Sequence, residues 1–545
     1  MSQPAMFQTG FETPVNISIP ASWHDTDPQC LAEFAFRKSN KRHQLVHYLI
    51  ITSRQTAMRI KKFTTSVLLS CIASLTIPVF AQEVDFKPPP SSENSFLDAI
   101  SNGRIKALFR YSGQYRDSNL HLLQDSSTPE VPDEKVQQYS AIGGYFGYET
   151  APWRNTTFGA TVYGAVPFGN NPSDRRGLGG LYEEDGDQDA YAALGELYLK
   201  YQANGHMLKI GRTEMPDYRF VALSNIRFSP ITHSGAIYEN RVIDGLGVNL
   251  GYIMKMKERN AKKFIDMARG ARLHESDRGK QLVRGEYDPD DYDVSGYIGD
   301  NKEMAMLAVT YQQDTFSFEA WDYYINDFLN TLYLTGQYRI EPAASSFHYV
   351  LAAQYTNQQD VGGHIAGNID TWHYGLSMQA YSGALSFFGN YNRGAYNENS
   401  YDGGTIFVRW GTPQMFNSFQ VQDSELAGTR SVGVGLQYDF GRNGLIPGVV
   451  MRWRYGDYNL PDKLTMTDAR QDRREATFDL RYSFTQTSGF GIFTEMKGLS
   501  LQFRLAFNNY RTDYDFEAYR DIHGYDFESA TKDFIDARLY LDYIF

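Results

Sequence analysis

The last residues of the chain alternate between apolar and polar side chains. Counting back from the end, Phe545 and every second residue to Ile535 are apolar, whereas the intervening positions include Asp542, Arg538 and Asp536. A period of two over about ten residues predicts a β-strand with one apolar and one mostly polar face. Most chains end in a poorly ordered tail, so we expect this terminal strand to be held in a sheet.

Segments of the same kind recur from Gly103 onward, and no helical period of comparable strength interrupts them. Short turns such as QANG and YSGA alternate with long polar stretches. The long stretches are Thr213–His233, Arg259–Asp300, Gly394–Thr429 and Thr512–Asp533. This alternation is typical of bacterial outer-membrane barrels. The run GGTIFVRWG (Gly403–Gly411) would make the strand count odd, so we interpret it as a hairpin within the Gly394–Thr429 loop.

The pattern therefore predicts an all-β protein: a transmembrane antiparallel β-barrel over residues 103–545, with about 18 strands, long extracellular loops and short periplasmic turns. One misread hairpin would give 16 strands. Open strand edges cannot be satisfied in lipid, so the last strand should close against the first. Phe545 at its end resembles the signal that barrel-assembly machinery reads. The alternative is an ordinary edge strand of a soluble domain.

Composition supports strands and predicts an exported protein. Aromatic residues make up 15% of the 545 residues, yet the mean hydropathy is only −0.46, which excludes a bundle of apolar helices. One apolar run starts at Met58, follows a basic head and ends in a small-residue cleavage site at Ala81, so residues 58–81 are predicted to be a signal peptide. Residues 1–57 are then an over-extended start and 82–102 a periplasmic leader. The alternatives for this region are a cytoplasmic extension with residues 63–80 as a membrane anchor, or a buried helix.

Cleavage after Ala81 would remove both cysteines, Cys30 and Cys71, so the mature chain would have no thiol or disulfide. The remaining 464 residues would carry 44 basic and 60 acidic side chains, a formal charge of −16. An acidic chain argues against a nucleic-acid partner. We expect no metal and no cofactor.

A barrel of about 18 strands is too wide for side chains to fill and leaves an aqueous lumen. Strand alternation predicts six inward arginines on successive strands, counting the closure between the last and the first: Arg110, Arg452, Arg454, Arg481, Arg504 and Arg538. A row of guanidinium groups offers an anion several weak successive sites. The alternative is that these arginines only neutralise interior carboxylates, here Glu475, Asp479 and Asp536.

The stretch Lys209–Asn260 resembles the outer-membrane porins of the OprD family. The matching features are GR at the end of a strand, R-x-x-P in the following loop and IDGL after the next strand; the late segments YDFGRNGLIPG and RWRYGDY also fit. The resemblance covers about Gly103 to Phe545. The 57 extra residues and the long Arg259–Asp300 loop depart from it.

This resemblance implies an 18-stranded monomer for passive uptake of amino acids, peptides or carboxylates, with the third and seventh external loops folded inward. Those loops would be Glu214–His233 and Gly394–Thr429. Asp217, Arg219 and Arg227 then become candidate constriction residues, unless their side chains only hold the loop in place.

The predicted function is passive, partly selective diffusion of small hydrophilic solutes across the bacterial outer membrane. The expected partners are outer-membrane lipid, the solutes and the assembly machinery, and the protein is a monomer or a trimer. An outer-membrane lipase or protease is the first alternative, but G-x-S-x-G and HExxH are absent from the sequence. A TonB-coupled transporter would need a plug of about 100 residues, for which Gln82–Asn102 is too short. A porin of another substrate class stays open.

Overall fold

The computed structural model describes most of the chain after residue 94. The described ranges are 95–124, 133–172, 190–224, 226–271, 302–342, 345–408, 410–411, 415–461, 472–484, 498–512 and 527–545. The predicted start segment 1–57, the signal peptide 58–81 and most of the leader 82–102 lie outside these ranges. These three assignments therefore stay predictions.

Eighteen long strands and one two-residue strand form a single antiparallel sheet. Their bounds are β1 Arg104–Gln124, β2 Asp133–Glu149, β3 Thr156–Pro167, β4 Tyr191–Ala203, β5 His206–Thr213, β6 Thr232–Asn240, β7 Leu246–Lys257, β8 Ile265–Asp266, β9 Met304–Gln312, β10 Phe316–Ile325, β11 Leu329–Ile340, β12 His348–Asp360, β13 Asp370–Ser382, β14 Leu385–Gly394, β15 Arg430–Asp439, β16 Val449–Asn459, β17 Asp472–Ser483, β18 Leu499–Thr512 and β19 Phe527–Ile544.

Each long strand pairs with the next one along the chain, and the sheet closes on itself. The short β8 lies beside β7, which also pairs with β9. The last strand, β19, pairs with β1 from Leu108 opposite Ile544 onward. We call this β19–β1 pairing the seam. Closure satisfies the backbone groups of both terminal strands, and the predicted antiparallel barrel of about 18 strands is confirmed.

The two ends of the barrel differ in the length of their connections. At one end, which we call the turn end, β4 meets β5 through Asn204 and Gly205, and both of these residues have positive φ. At the other, the loop end, residues 214–231 join β5 to β6 (loop L3), and residues 395–429 join β14 to β15 (loop L7). The alternation is not strict, because the loop-end connection between β10 and β11 is only residues 326–328.

Helical structure in the described ranges is limited to two short helices and one 3₁₀ turn. Helix α1 (Phe96–Ser101) is capped by the Ser95 side chain and precedes β1. Helix α2 (Met267–Gly270) follows β8, and the 3₁₀ turn spans Tyr401–Gly403 inside L7. None of the helices in this part of the chain is long and apolar enough to span a membrane.

The outer face of the barrel carries large exposed apolar side chains, while the residues between them face the lumen. Examples on the outer face are Phe109, Phe146, Leu199, Ile210, Tyr252, Leu307, Leu376, Val432 and Trp453. A water-soluble domain would bury such residues. The alternation is the one expected of a barrel that is apolar outside and polar within.

The main apolar core lies inside the barrel, where L3 and L7 fold inward. Phe220 of L3 and Phe407 and Trp410 of L7 are buried in one cluster with residues of the β9–β11 wall. The predicted hairpin at Gly403–Gly411 is wrong: the described residues of this run form no strand. The amide of Phe407 instead donates to the side chain of Gln358 on β12, because an apolar run inside the lumen gains more by packing on the loops than by pairing with itself.

Candidate functional site

The inward faces of β16, β17, β18, β19 and β1 carry the six predicted arginines, and we call this surface the arginine wall. Trp453, Leu480 and Phe109 are exposed on the outer face, so the arginines next to them in sequence face the lumen. The strand register connects them: Arg452 lies opposite Asp479, Asp479 opposite Arg504, and Arg504 opposite Arg538. Residues directly opposite in such pairs have Cβ atoms about 5 Å apart.

Two of these arginines, at the seam, are buried and ion-paired. Arg110 donates from Nε and Nη2 to the two carboxylate oxygens of Asp542, at 2.7 and 2.6 Å. Arg538 donates to Asp536 at 2.5 Å and is 4% exposed. Asp536 also binds Arg116 at 2.7 Å. Forked arginine–carboxylate pairs in a desolvated setting fix geometry strongly, so these groups are held in place.

The arginines on β16 and β17 are placed differently. Arg452 donates to the neutral side chain of Gln437, and Arg454 to the hydroxyl of Thr477 at 3.2 Å. Arg481 is exposed at the turn end. Among the described residues, no carboxylate lies within 4 Å of these three guanidinium groups. Arg504 on β18 is intermediate, since its Nε lies 3.3 Å from Asp479.

The tip of L7 rests on the arginine wall through a buried carboxylate. The backbone amides of Gln420, Val421 and Gln422 donate to the two oxygens of Glu475 at 2.8 to 3.3 Å. Glu475 is fully buried. Glu475, predicted as a counter-charge for the arginines, therefore accepts hydrogen bonds from the backbone of L7. The adjacent Phe419 ring lies 4.7 Å from the Arg454 guanidinium, so the loop tip narrows the lumen beside the unpaired arginines.

Loop L3 crosses the lumen and is fastened at two points. Arg219, with a positive φ of 60°, binds Asp217 at 3.0 Å and pairs with Glu319 on β10. Burial alone would lower the pKa of Arg219, but its hydrogen bond and charge interaction with Glu319 outweigh burial and the pKa is raised. The guanidinium thus stays charged, and this pair anchors L3 to β10, on the side of the barrel opposite the arginine wall.

The second fastening point brings L3 to the seam. Arg227 donates from Nη1 to the side chain of Gln114 at 2.9 Å, and its carbonyl oxygen accepts from Nη1 of Arg110 at 2.8 Å. Of the three predicted constriction residues, Arg227 is therefore the one that contacts the arginine wall. Asp217 and Arg219 form the anchor on the other side.

L3, L7 and α2 also hold one another through a tryptophan. Trp410 donates from Nε1 to the carbonyl of Met267 at 2.7 Å, and its own carbonyl contacts the His233 ring at 3.0 Å. A Cβ on Gly411 would lie 2.5 Å from the amide nitrogen of Ala222, so only glycine allows the two loops to come this close. The loops form one packed unit inside the lumen.

Comparison with known proteins decides the family. A model described as outer membrane porin, OprD family, matches residues 169–529. The chain belongs to the OprD family.

Solved structures of this family have the same fold as this OprD-family porin. OccK9 (OpdG) of Pseudomonas aeruginosa is 19% identical, with a TM-score of 0.60 over 82% of this chain and 99% of that one. OccAB1 of Acinetobacter baumannii is 15% identical, with a TM-score of 0.60 over 84% and 99%. OpdK of Pseudomonas aeruginosa, solved with vanillate, is 17% identical, with a TM-score of 0.55 over 80% and 98%. A search of curated proteins found no match.

Membership of the OprD family places the barrel in the bacterial outer membrane, where it is a porin through which small solutes pass. The loop end is extracellular and the turn end periplasmic. The outer-face apolar residues then contact lipid, and small solutes cross through the lumen of the barrel.

Several residues that shape the lumen of this OprD-family porin were missed or misread from sequence. Trp410 was part of the misassigned hairpin, and an apolar run inside a polar loop was the available signal of a buried contact. Gln420, Val421 and Gln422 bind through backbone amides, so no side-chain pattern could have revealed them.

Proposed function

We propose that this porin conducts small hydrophilic solutes that carry a carboxylate group, namely amino acids, peptides or carboxylates, by passive and partly selective diffusion along the arginine wall. The observation that carries the proposal is the state of Arg452, Arg454 and Arg481. All three face the lumen, and none has a carboxylate partner within 4 Å among the described residues. Their charge is available to a passing anion.

The spacing of these arginines suits transfer from one to the next. Arg452 and Arg454 lie on one face of β16, two residues and so roughly 7 Å apart. Arg481 lies on β17, closer to the periplasmic end. Several weak successive sites permit entry and exit without trapping the solute. OpdK was solved with vanillate, an aromatic carboxylate, and that likeness supports a carboxylate substrate class.

The remaining predicted residues take supporting parts in this proposal. Arg504 contributes charge that Asp479 partly offsets, whereas Arg110 and Arg538 stabilise the seam. Arg227 and the tip of L7 set the width of the opening. Asp217 and Arg219 keep L3 in its inward position.

Assembly and processing complete the proposal. Phe545 is 61% exposed at the end of β19, so its ring is accessible to the barrel-assembly machinery. The protein acts as a monomer or a trimer with one lumen in each chain, and residues 58–81 direct its export. It is a channel without enzymatic activity.

Single-channel recording in planar bilayers tests the proposal. We expect discrete steps with a preference for anions, and the variant R452A/R454A/R481A should lose several-fold in anion over cation permeability. Arg442→Ala is the matched control, because Arg442 lies in a periplasmic turn and pairs with Asp439. Equal selectivity in the triple variant and the control would refute the arginine path. Hydrolysis of a lipid or peptide substrate without conductance steps would favour the enzyme.

A further inference from the structure

The outer face of the barrel has an unusual pair of charges near the extracellular end. Arg393 is the second-last residue of β14 and Arg430 the first of β15, and the register places them directly opposite each other. Both share the face of Val432 and Val434, which are 52% and 41% exposed. The two guanidinium groups therefore project to the outside of the barrel, where like charges in this position repel.

No described residue neutralises this pair. Neither Arg393 nor Arg430 makes a hydrogen bond or an ion pair with another described residue. The nearby outward carboxylate, Asp457 on β16, is bound to Arg474 at 3.0 Å. Within the described part of the chain these two positive charges are uncompensated, and an anion from outside the protein would relieve their repulsion.

Aromatic residues show at what depth the pair lies. The rings of Trp372 and Tyr374 stack on the outer face of β13, with their centroids 5.8 Å apart. The ring centroids of Tyr374 and Tyr391 are 6.1 Å apart. Tyr374 lies directly opposite Arg393. Outward aromatic side chains mark the membrane interface of a barrel. The arginine pair is therefore at the level of the lipid headgroups of the outer leaflet.

An apolar groove of about 490 Å³ lies on the same face, nearer the membrane centre, and begins at Tyr391 and Val432. Leu376, Met378, Tyr391, Val432 and Val434 contribute to its walls. Gly389 leaves the floor low, since a Cβ there would meet nothing within 4 Å. Gly389 lies four residues from Arg393 on the same face of β14, a distance of roughly 13 Å. This matches a headgroup above and an acyl chain below.

We propose that Arg393, Arg430 and the groove at Gly389 form a binding site for a phosphate-bearing lipid of the outer leaflet. The phosphate accepts hydrogen bonds from both guanidinium groups, and one acyl chain fills the groove. The site lies outside the lumen and does not depend on the proposed conduction path. Its occupant is a lipid because the charged and apolar parts are continuous with the face that lipid covers.

Native mass spectrometry of the detergent-purified porin with added diphosphoryl lipid A tests the site. We expect one tightly bound lipid, and the variant R393A/R430A should bind it about 25-fold more weakly, since each of the two basic residues near a charged lipid surface contributes about a factor of five. The control R241A/R442A removes two exposed arginines at the periplasmic end and should leave binding unchanged.

Filling the groove separates the two halves of the site. Gly389→Leu should weaken lipid A binding several-fold, whereas Ala305→Leu, on the exposed face of β9, should not. Inorganic phosphate should not compete at millimolar concentration, and dioleoylglycerol, which lacks phosphate, should bind only weakly. Retained lipid A binding in R393A/R430A, or equal binding of free phosphate, would overturn the proposal.

Conductance distinguishes this proposal from the one for the pore. R393A/R430A and Gly389→Leu should give the same single-channel steps and ion preference as the unmodified porin. If these two variants form normal channels and also bind lipid A normally, the lipid site is refuted and the arginine path is not. If the porin binds lipid A as expected but shows no anion preference, the arginine path is refuted and the lipid site is not. Heat-modifiable migration in gels confirms that each variant is folded.

Discussion

The seam and the neighbouring β16–β17 pair carry the same type of side chain, an inward arginine, in opposite states. At the seam, Arg538 is 4% exposed and ion-paired. On β16, Arg454 binds a neutral hydroxyl and has no carboxylate within 4 Å among the described residues. Identical residues on adjacent parts of one wall are thus ion-paired in one place and, among the described residues, without a carboxylate partner in the other. The neighbouring carboxylates decide which, so predictions that exchange these partners test the distinction.

The largest effect is expected when the seam loses a carboxylate. Asp536→Asn leaves Arg538 and Arg116 facing a neutral amide in a site where Asp536 is 2% exposed. Breaking a buried pair costs about 3–5 kcal/mol, so the free energy of unfolding in urea should fall by that amount. Asp439→Asn removes half of an exposed turn pair and should cost less than about 1 kcal/mol. Equal losses would show that the seam pairs do not stabilise the barrel.

The next effect concerns the tip of L7. Glu475→Ala removes the acceptor of three backbone amides, those of Gln420, Val421 and Gln422, and should release the tip at a cost of about 1–3 kcal/mol. The opening should widen, which single-channel recording would show as larger and noisier steps. Asp457→Ala, on the outer face of the adjacent strand, is the control. A quiet channel of unchanged conductance would mean that the other contacts of L7 hold its tip, among them the hydrogen bonds from the Gln420 and Gln422 side chains to β18 and β19.

A smaller effect is expected on β16. Arg454→Ala should reduce anion preference by roughly fivefold, the equivalent of about 1 kcal/mol for one charge near the path of an ion in water. Arg454→Lys keeps the charge and should retain most of the preference. The free energy of unfolding should change far less than in Asp536→Asn. If Arg454→Ala strongly lowered the free energy of unfolding but left the anion preference unchanged, Arg454 would be a stabilising residue like Arg538.

The smallest effect is a change of salt. Raising KCl from 0.1 M to 1 M shortens the screening length from about 10 Å to about 3 Å, so anion preference should decline toward unity. The stability contributed by Asp536 should hardly change, because buried pairs are screened much less. Reversal potentials and urea unfolding at both salt concentrations measure the two quantities, and a parallel decline would contradict the division.

Sequence alternation was sufficient for the frame of the molecule and insufficient for the loops. The face on which Arg454 or Leu480 lies follows from a period of two, and the closure of β19 on β1 follows from the cost of an open edge in lipid. The inward loops obey no such period. The run that contains Phe407 and Trp410 resembles a hairpin by its local pattern. Its contacts in the structure are with L3, α2 and β12, which lie far away in sequence.

The pairing of charges was also beyond the sequence. Glu475, Asp479 and Asp536 were equally good partners for the arginines by composition, yet they divide three ways. Asp536 binds arginines of the seam, Asp479 lies near Arg504, and Glu475 binds the backbone of L7. Such choices depend on distances of a few ångströms between loops and walls, which alternation along a strand does not encode.

The two ion pairs that cross from β1 to β19 have a consequence for biogenesis. Arg110 faces Asp542 and Arg116 faces Asp536 in the closed barrel. If the last strand paired with a register shift of two residues, Arg110 would face Tyr540 and Arg116 would face Phe534. The four charged side chains would then lose their partners. A misaligned closure would therefore be less stable than the correct one. The two pairs favour assembly of the barrel with its first and last strands in the register that the structure shows.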